Sequence, residues 1–319
     1  MSSSAEGGAK AKVALTVSSF GAGGPEPLDE LRSAGVEVVE NPHGRRLKEE
    51  EVAEMVRDAD GVIAGTEPLT EAVMRQAPRL RVISRVGVGM DSVDLAAAER
   101  LNIAVCNTPD AVTDAAAELA FGGMLCALRH LHEMDAELRA GRWTRMMGSL
   151  LRHKTVGIVG LGRVGRRVAA LLAPFEPRLL GYDVAPVDDW ASANGVELVE
   201  LERLLAESDV VTLHVSKGPG SGPLLGRREL LETMKPGAVL VNAARGGLVD
   251  EEALAEALSS GQLAGAHLDV FENEPYDGPL REQPAVLLTP HAGSYAREAR
   301  ALMEHEAVRN LLDKLGASA

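Results

Sequence analysis

Three ionisable residues in the second half of the chain come directly after apolar runs. Arg245 follows Val239-Leu240-Val241-Asn242 and precedes Gly246-Gly247. Asp269 ends the run Gly265-Ala266-His267-Leu268, and Glu274 lies five residues on, before Pro275. His291 follows Leu287-Leu288-Thr289-Pro290. Each has a plain explanation when taken alone: a solvated turn arginine, an acidic loop shared with Glu272, a histidine in a turn after proline. As a set they suggest more. A planar guanidinium grips a carboxylate and polarises the carbonyl beside it. An imidazole that titrates near neutrality, next to a carboxylate favouring its charged form, protonates an oxygen as negative charge develops there. Reduction of a 2-keto acid by hydride needs those two services.

The hydride needs a carrier, and residues 156–165 supply a place for one. The apolar run Thr155 to Val159 meets Gly160, Gly162 and Gly165, and a helix pattern, Arg163 to Leu172, follows at once. The first glycine permits a tight turn, the second lets backbone N–H groups approach a pyrophosphate, and the third lets helix and strand pack closely. With 33 glycines in 319 residues, this spacing arises by chance about 0.3 times in such a chain, so its context has to decide. A second apolar run, Arg178 to Tyr182, ends in Asp183, about 20 residues beyond the loop, where a carboxylate binds ribose hydroxyls. Val184, Ala185 and Pro186 come next and hold no arginine. A 2′-phosphate would meet negative charge there, so the expected cofactor is NAD. No metal site is expected.

These residues must be carried by alternating strands and helices. Val13 to Val17, Val36 to Val39, Gly61 to Ala64, Val82 to Ser84 and Ile103 to Cys106 read as strands. Leu28 to Ala34, Glu49 to Val56, Glu71 to Gln76 and Leu95 to Arg100 read as the helices between them. One long helix is predicted from Asp114 to Arg139. A second series of strands follows at Thr155 to Val159, Arg178 to Tyr182, Val196 to Leu198, Val210 to Leu213, Ala238 to Asn242, Ala264 to Leu268 and Val286 to Leu288. A last helix, Arg297 to Leu315, folds back onto the first domain in this reading. Strands separated by helix-length patterns indicate βαβ units. The expected fold is α/β: two doubly wound parallel-sheet domains with a cleft between them. The flavodoxin-like substrate domain takes residues 1–109 and 293–319, and the Rossmann NAD domain takes 110–292.

Composition narrows the partners. Forty-seven acidic residues against 33 basic ones leave a formal charge of −14, which argues against nucleic acid and anionic membranes. It also means an anionic substrate requires local positive charge. Aromatics make up only 3%, so the cores are aliphatic. Cys106 and Cys126 read as buried free thiols of a reducing compartment. Met1 to Lys12 lack the apolar stretch of a secretory signal, and the apolar segment Ala115 to Leu128 is too short to span a bilayer. A cytoplasmic protein is expected.

The motifs, in their order, resemble the D-isomer-specific 2-hydroxyacid dehydrogenase family, which includes phosphoglycerate dehydrogenase and glyoxylate/hydroxypyruvate reductase. The similarity runs from about Val13 to Leu312. It is carried by Ser84-Arg85-Val86-Gly87-Val88-Gly89-Met90-Asp91, Asn107-Thr108-Pro109, the glycine loop, Asn242-Ala243-Ala244-Arg245-Gly246-Gly247, Leu268-Asp269-Val270-Phe271-Glu272-Asn273-Glu274-Pro275 and Thr289-Pro290-His291. The resemblance implies catalysis by Arg245 and a Glu274–His291 proton relay. It implies cofactor contacts from Gly160, Gly162, Arg163, Val164, Gly165, Asp183, Val215, Ala243 and Arg245, with Asp269 on the nicotinamide carboxamide. Substrate contacts fall to Arg85, Val88, Gly89 and Arg245. A homodimer built around the cofactor domain is also implied.

The chain departs from the family pattern in places. Val215 to Gly222 lacks the Pro and Thr residues usual after His214, and Tyr295 replaces a small hydroxyl residue usual after His291. Asn107 to Asp114 is closer to the glyoxylate/hydroxypyruvate reductases. Gly65 stands where phosphoglycerate dehydrogenases tend to place a phosphate-binding arginine, although Arg85 is retained. The expected reaction is therefore NADH-dependent reduction of a small unphosphorylated 2-keto acid to a D-2-hydroxy acid. Two alternatives stand beside it: D-3-phosphoglycerate oxidation for serine synthesis, and an NAD-sensing interaction protein like the transcriptional corepressors of this fold.

Overall fold

A computed structural model describes residues 10–317 apart from Asp110, Pro186 and Pro219. The reading of Met1 to Lys12 as free of a signal thus falls almost wholly outside the described residues, as does Asp110, the expected start of the second domain. The chain divides into two compact units, Met1–Val112 with Ser294–Ala319, and Thr113–Gly293.

The first unit carries β1 (Lys12–Leu15), α1 (Glu26–Ser33), β2 (Glu37–Glu40), α2 (Glu49–Val56), β3 (Gly61–Ala64), α3 (Glu71–Arg75), β4 (Val82–Arg85), α4 (Leu95–Arg100) and β5 (Ala104–Cys106). The strands form one parallel sheet in the order β2-β1-β3-β4-β5, the flavodoxin-like doubly wound order. The central strand β3 is buried at every position, as a strand covered on both faces must be. The C-terminal helix, Arg297–Leu315, packs on this sheet. Met303, Val308, Leu311 and Leu312 are buried in one cluster with Val13, Ile63 and Val82, each contributing about 1.5–3 kcal/mol. Ser84 Oγ donates to Ala307 O at 2.7 Å.

The second unit opens with two helices, α5 (Thr113–Leu128) and α6 (Leu131–Arg139). The single helix expected from Asp114 to Arg139 is broken at His130, whose backbone is left-handed (φ 52°). Its Nδ1 bonds Glu133 Oε1 at 2.7 Å, so the break is tied locally. Then come β6 (Thr155–Val159), α7 (Arg163–Leu172), β7 (Arg178–Tyr182), α8 (Asp188–Ala193), β8 (Val196–Leu198), α9 (Leu201–Glu207), β9 (Val210–Leu213), β10 (Ala238–Asn242), α10 (Glu251–Ser259), β11 (Leu263–Leu268) and β12 (Val286–Leu288).

These seven strands form a parallel sheet in the order β12-β11-β10-β9-β6-β7-β8. The direction of winding reverses between β6 and β9, which is the switch point where doubly wound sheets bind ligands. Register then decides what meets there. Tyr182, Val159, Leu213, Asn242, Leu268 and Leu288 lie in one row across the sheet, neighbour paired with neighbour. The residues that follow them, Asp183, Gly160, His214, Ala243, Asp269 and Thr289, leave the sheet at one height on its carboxyl edge.

Candidate active site

The loops after β10, β11 and β12 bring the reactive set together. Asn242, buried at the end of β10, closes its own turn: its Oδ1 accepts from Ala244 N at 3.1 Å and its Nδ2 donates to Arg245 O at 3.0 Å. Arg245 Nη1 donates to Ala244 O at 2.7 Å. Gly246 makes the next step possible, because a Cβ there would overlap the carbonyl of Phe271. The Arg245 turn therefore packs under the loop that carries Glu274. Phe271 N in turn donates to Glu274 Oε1 at 3.1 Å.

Glu274 completes the link to the next loop. His291 Nδ1 lies 2.9 Å from Glu274 Oε2 and 3.1 Å from Oε1. The imidazole is partly exposed and its backbone is left-handed (φ 53°), a conformation costing a non-glycine residue on the order of 1–3 kcal/mol. Asp269 holds that conformation. Its carbonyl accepts from His291 N at 2.8 Å, and its fully buried carboxylate accepts from Ala292 N at 2.7 Å and Gly293 N at 2.8 Å. Thr289 Oγ1 adds a 2.6 Å bond to Asp269 Oδ1.

On the other side of the switch point, the three loop glycines answer three different constraints. Gly160 has φ 94°, and a Cβ there would press on the carbonyl of His214 and on Val215. At Gly165 a Cβ would overlap Gly160 O, so helix and strand meet at backbone distance. Gly162 has nothing within 4 Å of a Cβ position and caps α7 without a side-chain bond. It leaves open the approach to the first-turn N–H groups of Arg163 and Val164, whose partial charge suits a phosphate. Asp183 Oδ2 accepts from Leu161 N at 2.7 Å, and Oδ1 from Ala185 N at 2.8 Å. A cleft of about 660 Å³ opens beside it, lined by Tyr182, Asp183, Asp188, Glu200 and Arg203 among others. Arg203 is already engaged with Glu197 and Glu207. The cleft is acidic, which disfavours a 2′-phosphate.

In the first unit, Gly87 takes φ 133°, and a Cβ there would overlap Arg85 Nη1. Thr108 fastens this turn, accepting from Gly87 N at 2.8 Å and donating its N–H to Gly87 O at 3.0 Å. Asn107 Nδ2 donates to Val88 O at 2.9 Å. Among the described residues, the N–H groups of Val88 and Gly89 have no hydrogen-bond acceptor. Two adjacent free donors on an exposed turn suit an oxyanion.

Residues 121–293 match the family described as D-isomer specific 2-hydroxyacid dehydrogenase, NAD binding domain. The chain belongs to that family. It is 40% identical over 270 residues to the glyoxylate reductase of Korarchaeum cryptofilum, covering 82% of this chain and 81% of that protein. It is 42% identical over 260 residues to the D-3-phosphoglycerate dehydrogenase of Methanocaldococcus jannaschii, covering 80% of this chain but 49% of the relative. The chain thus spans about half the length of the phosphoglycerate dehydrogenases it matches. A crystal structure of a glyoxylate reductase from Paecilomyes thermophila superposes with a TM-score of 0.84 at 30% identity, over 97% of each chain.

The second unit of this family member is built to hold NAD. Gly162 leaves the N-terminus of α7 open, Asp183 follows β7, and Val215 and Ala243 come after β9 and β10 across the switch point. Among the described residues, no group of three or more His, Cys, Asp or Glu side chains is placed to hold a metal ion. No helix among them is long and apolar enough to cross a membrane. Two side chains here had no functional reading in the sequence. Lys217 lies over Gly247, two residues from Arg245. His267 lies inside β11, fully buried. A histidine amid Gly265-Ala266-Leu268 was the available signal, since a buried polar group requires a partner.

Proposed function

We propose that this chain is an NAD-dependent D-2-hydroxyacid dehydrogenase whose substrate is a small unphosphorylated 2-keto acid of the glyoxylate or hydroxypyruvate kind. The observation that carries this reading is the Glu274–His291 hydrogen bond on loops packed against the Arg245 turn. Glu274 occupies Nδ1 of the imidazole, so Nε2 is the nitrogen that presents a proton to the substrate oxygen. Arg245 holds the carboxylate and polarises the carbonyl. On the first unit, the free N–H groups of Val88 and Gly89 offer a carboxylate two adjacent donors. NADH, when bound, supplies the hydride. Asp269 keeps the His291 loop in place, and it is also the residue that we assign to the nicotinamide carboxamide.

The case against a phosphorylated substrate rests on Gly65 and Glu67. Gly65 N donates to Glu67 Oε2 at 2.7 Å, and Thr16 Oγ1 donates to the same oxygen at 3.3 Å. This buried carboxylate, its pKa pushed up by burial, lies beneath the position where an arginine would be needed for a phosphate. Arg85 alone supports the second reading, oxidation of D-3-phosphoglycerate, and one guanidinium is a thin counter for a dianion.

The dimer is proposed on an apolar surface of the second unit. Helix α6 buries none of its residues, and Leu131, Leu138, Trp143, Met147 and Leu150 are all exposed, Met147 at 94%. Exposed apolar side chains gathered in one stretch of chain suit a protein interface. The unpaired Cys106 and Cys126 fit a reducing, cytoplasmic setting.

A steady-state screen of NADH oxidation tests the reaction, using glyoxylate, hydroxypyruvate, pyruvate, longer 2-keto acids and phosphohydroxypyruvate. Turnover concentrated on the small unphosphorylated acids is expected. Preference for phosphohydroxypyruvate would establish the second reading. Tight NAD binding with no turnover on any acid would point to the sensing protein.

A further inference from the structure

A second line of hydrogen bonds runs behind the loop that carries His291, wholly inside the second unit. His267 Nε2 lies 3.1 Å from Thr289 Oγ1, and Thr289 Oγ1 lies 2.6 Å from Asp269 Oδ1. Asp269 then accepts from the N–H groups of Ala292 and Gly293. Directions along this line are forced. A hydroxyl has one proton, and an ionised carboxylate only accepts. Thr289 therefore donates to Asp269, and must accept from His267, which carries its proton on Nε2.

The other ring nitrogen tells the same story. His267 Nδ1 is buried and has no hydrogen-bond partner. Only a neutral ring with a bare Nδ1 lone pair is tolerable there, because a buried N–H without an acceptor is penalised more heavily. Room for that nitrogen comes from α5, where a Cβ at Gly123 would overlap it. A residue serving only to fill the core would not need a donor aimed at Thr289, a cleared helix face and an unsatisfied nitrogen.

We infer that His267 is a positioning residue: through Thr289 and Asp269 it sets the loop that carries His291. The inference rests on the reading of His291 as the proton donor. Without His267 the Thr289 hydroxyl is free to turn away from Asp269, and the left-handed backbone at His291 loses part of its support. The consequence is a misplaced imidazole, with the glycine loop and Asp183 left as they are. His267 touches neither substrate nor cofactor in this role.

The test compares His267→Leu with His267→Gln in the full chain, since the glutamine carboxamide offers a donor where Nε2 stood and leucine offers none. With glyoxylate and NADH, His267→Leu should lower kcat about 10- to 100-fold, while His267→Gln should stay within about threefold of the parent, with the KM for NADH little changed in both. Amide hydrogen exchange at Ala292 and Gly293 should quicken in the leucine variant and not in the glutamine variant. Equal kcat and equal exchange for leucine and glutamine would overturn the proposal, as would parental behaviour of the leucine variant. If His267→Leu does not fold, Thr289→Val against Thr289→Ser repeats the comparison, with serine keeping the hydroxyl. Should the protein reduce no 2-keto acid at all, the proposed reaction fails, and exchange at Ala292 and Gly293 still decides whether His267 holds the loop.

Discussion

His291 and Glu274 stand 17 residues apart in the chain, yet His291 Nδ1 and Glu274 Oε2 lie 2.9 Å from each other. The pair exists because β11 and β12 are neighbours in register, Leu268 beside Leu288. Their outgoing loops leave the sheet together, and Glu274 is steadied from behind by Phe271 N. The carboxylate fixes which imidazole nitrogen faces outward and so, in the proposed reaction, where the proton is offered.

Replacing His291 by alanine should lower kcat for keto-acid reduction by roughly 10²–10⁴-fold, the range for loss of a general acid. Glu274→Gln should also slow turnover, because a carboxamide can present an N–H to Nδ1 and favour the wrong tautomer. The double variant should lose far less than the product of the two single losses, since the residues act as a unit. Steady-state rates on the best substrate provide the check, and multiplicative losses would show that the residues work separately.

Arg245→Ala should cut kcat/KM by about 10²–10³-fold, as expected for removing a donor aimed at developing charge. Arg245→Lys should recover little, because an ammonium lacks the planar fork that matches a carboxylate. Near-parental efficiency in the alanine variant would remove Arg245 from the site.

Asp183→Ala has two consequences to measure. It withdraws the acceptor for Leu161 N and Ala185 N, loosening the glycine loop, and it removes the charge that repels a 2′-phosphate. The KM for NADH should rise by about tenfold, the equivalent of one charge-assisted hydrogen bond. The preference for NADH over NADPH should fall at the same time. An unaltered ratio of the two efficiencies would place ribose discrimination elsewhere.

Acid should weaken the second unit through its buried imidazoles. Burial lowers His267 to about 4, and His214 likewise to about 4, against about 6.5 in an unfolded chain. The unfolded state thus binds protons below pH 6.5 that the folded state refuses, so stability is full above that pH and falls as pH drops towards 4. Each group contributes up to about 3 kcal/mol of that loss. Urea unfolding between pH 7 and 4.5 should show the decline, and His267→Gln should make it shallower. A profile equally steep in the variant would assign the decline to other groups.

If the exposed apolar patch forms the dimer, Trp143→Glu combined with Met147→Glu should yield monomers. Sedimentation velocity at micromolar concentration would measure this. A parental sedimentation coefficient in the variant, with the parent dimeric, would move the interface to another face.

Much of the architecture was legible in the residue pattern. Apolar β-branched runs marked most of the strands, because strands buried on both faces need continuous apolar side chains. The glycine loop, and the placing of Arg245, Glu274 and His291 after such runs, followed from the same pattern joined to turn chemistry. The break at His130 was not legible, since the flanking residues keep a helical composition and only a left-handed backbone, tied by Glu133, interrupts them. Nor was the part played by His267 and Gly123, which lie 144 positions apart and meet only when α5 packs on β11.

Local composition therefore determined which segments become strands and helices and which side chains sit at their ends, because propensity and burial pattern act over a few residues. Which strand lies beside which, and in what register, was decided only in three dimensions. The order β12-β11-β10-β9-β6-β7-β8 depends on long-range packing that no short window contains. That order is what turns an arginine, a glutamate and a histidine spread over 47 positions into one site.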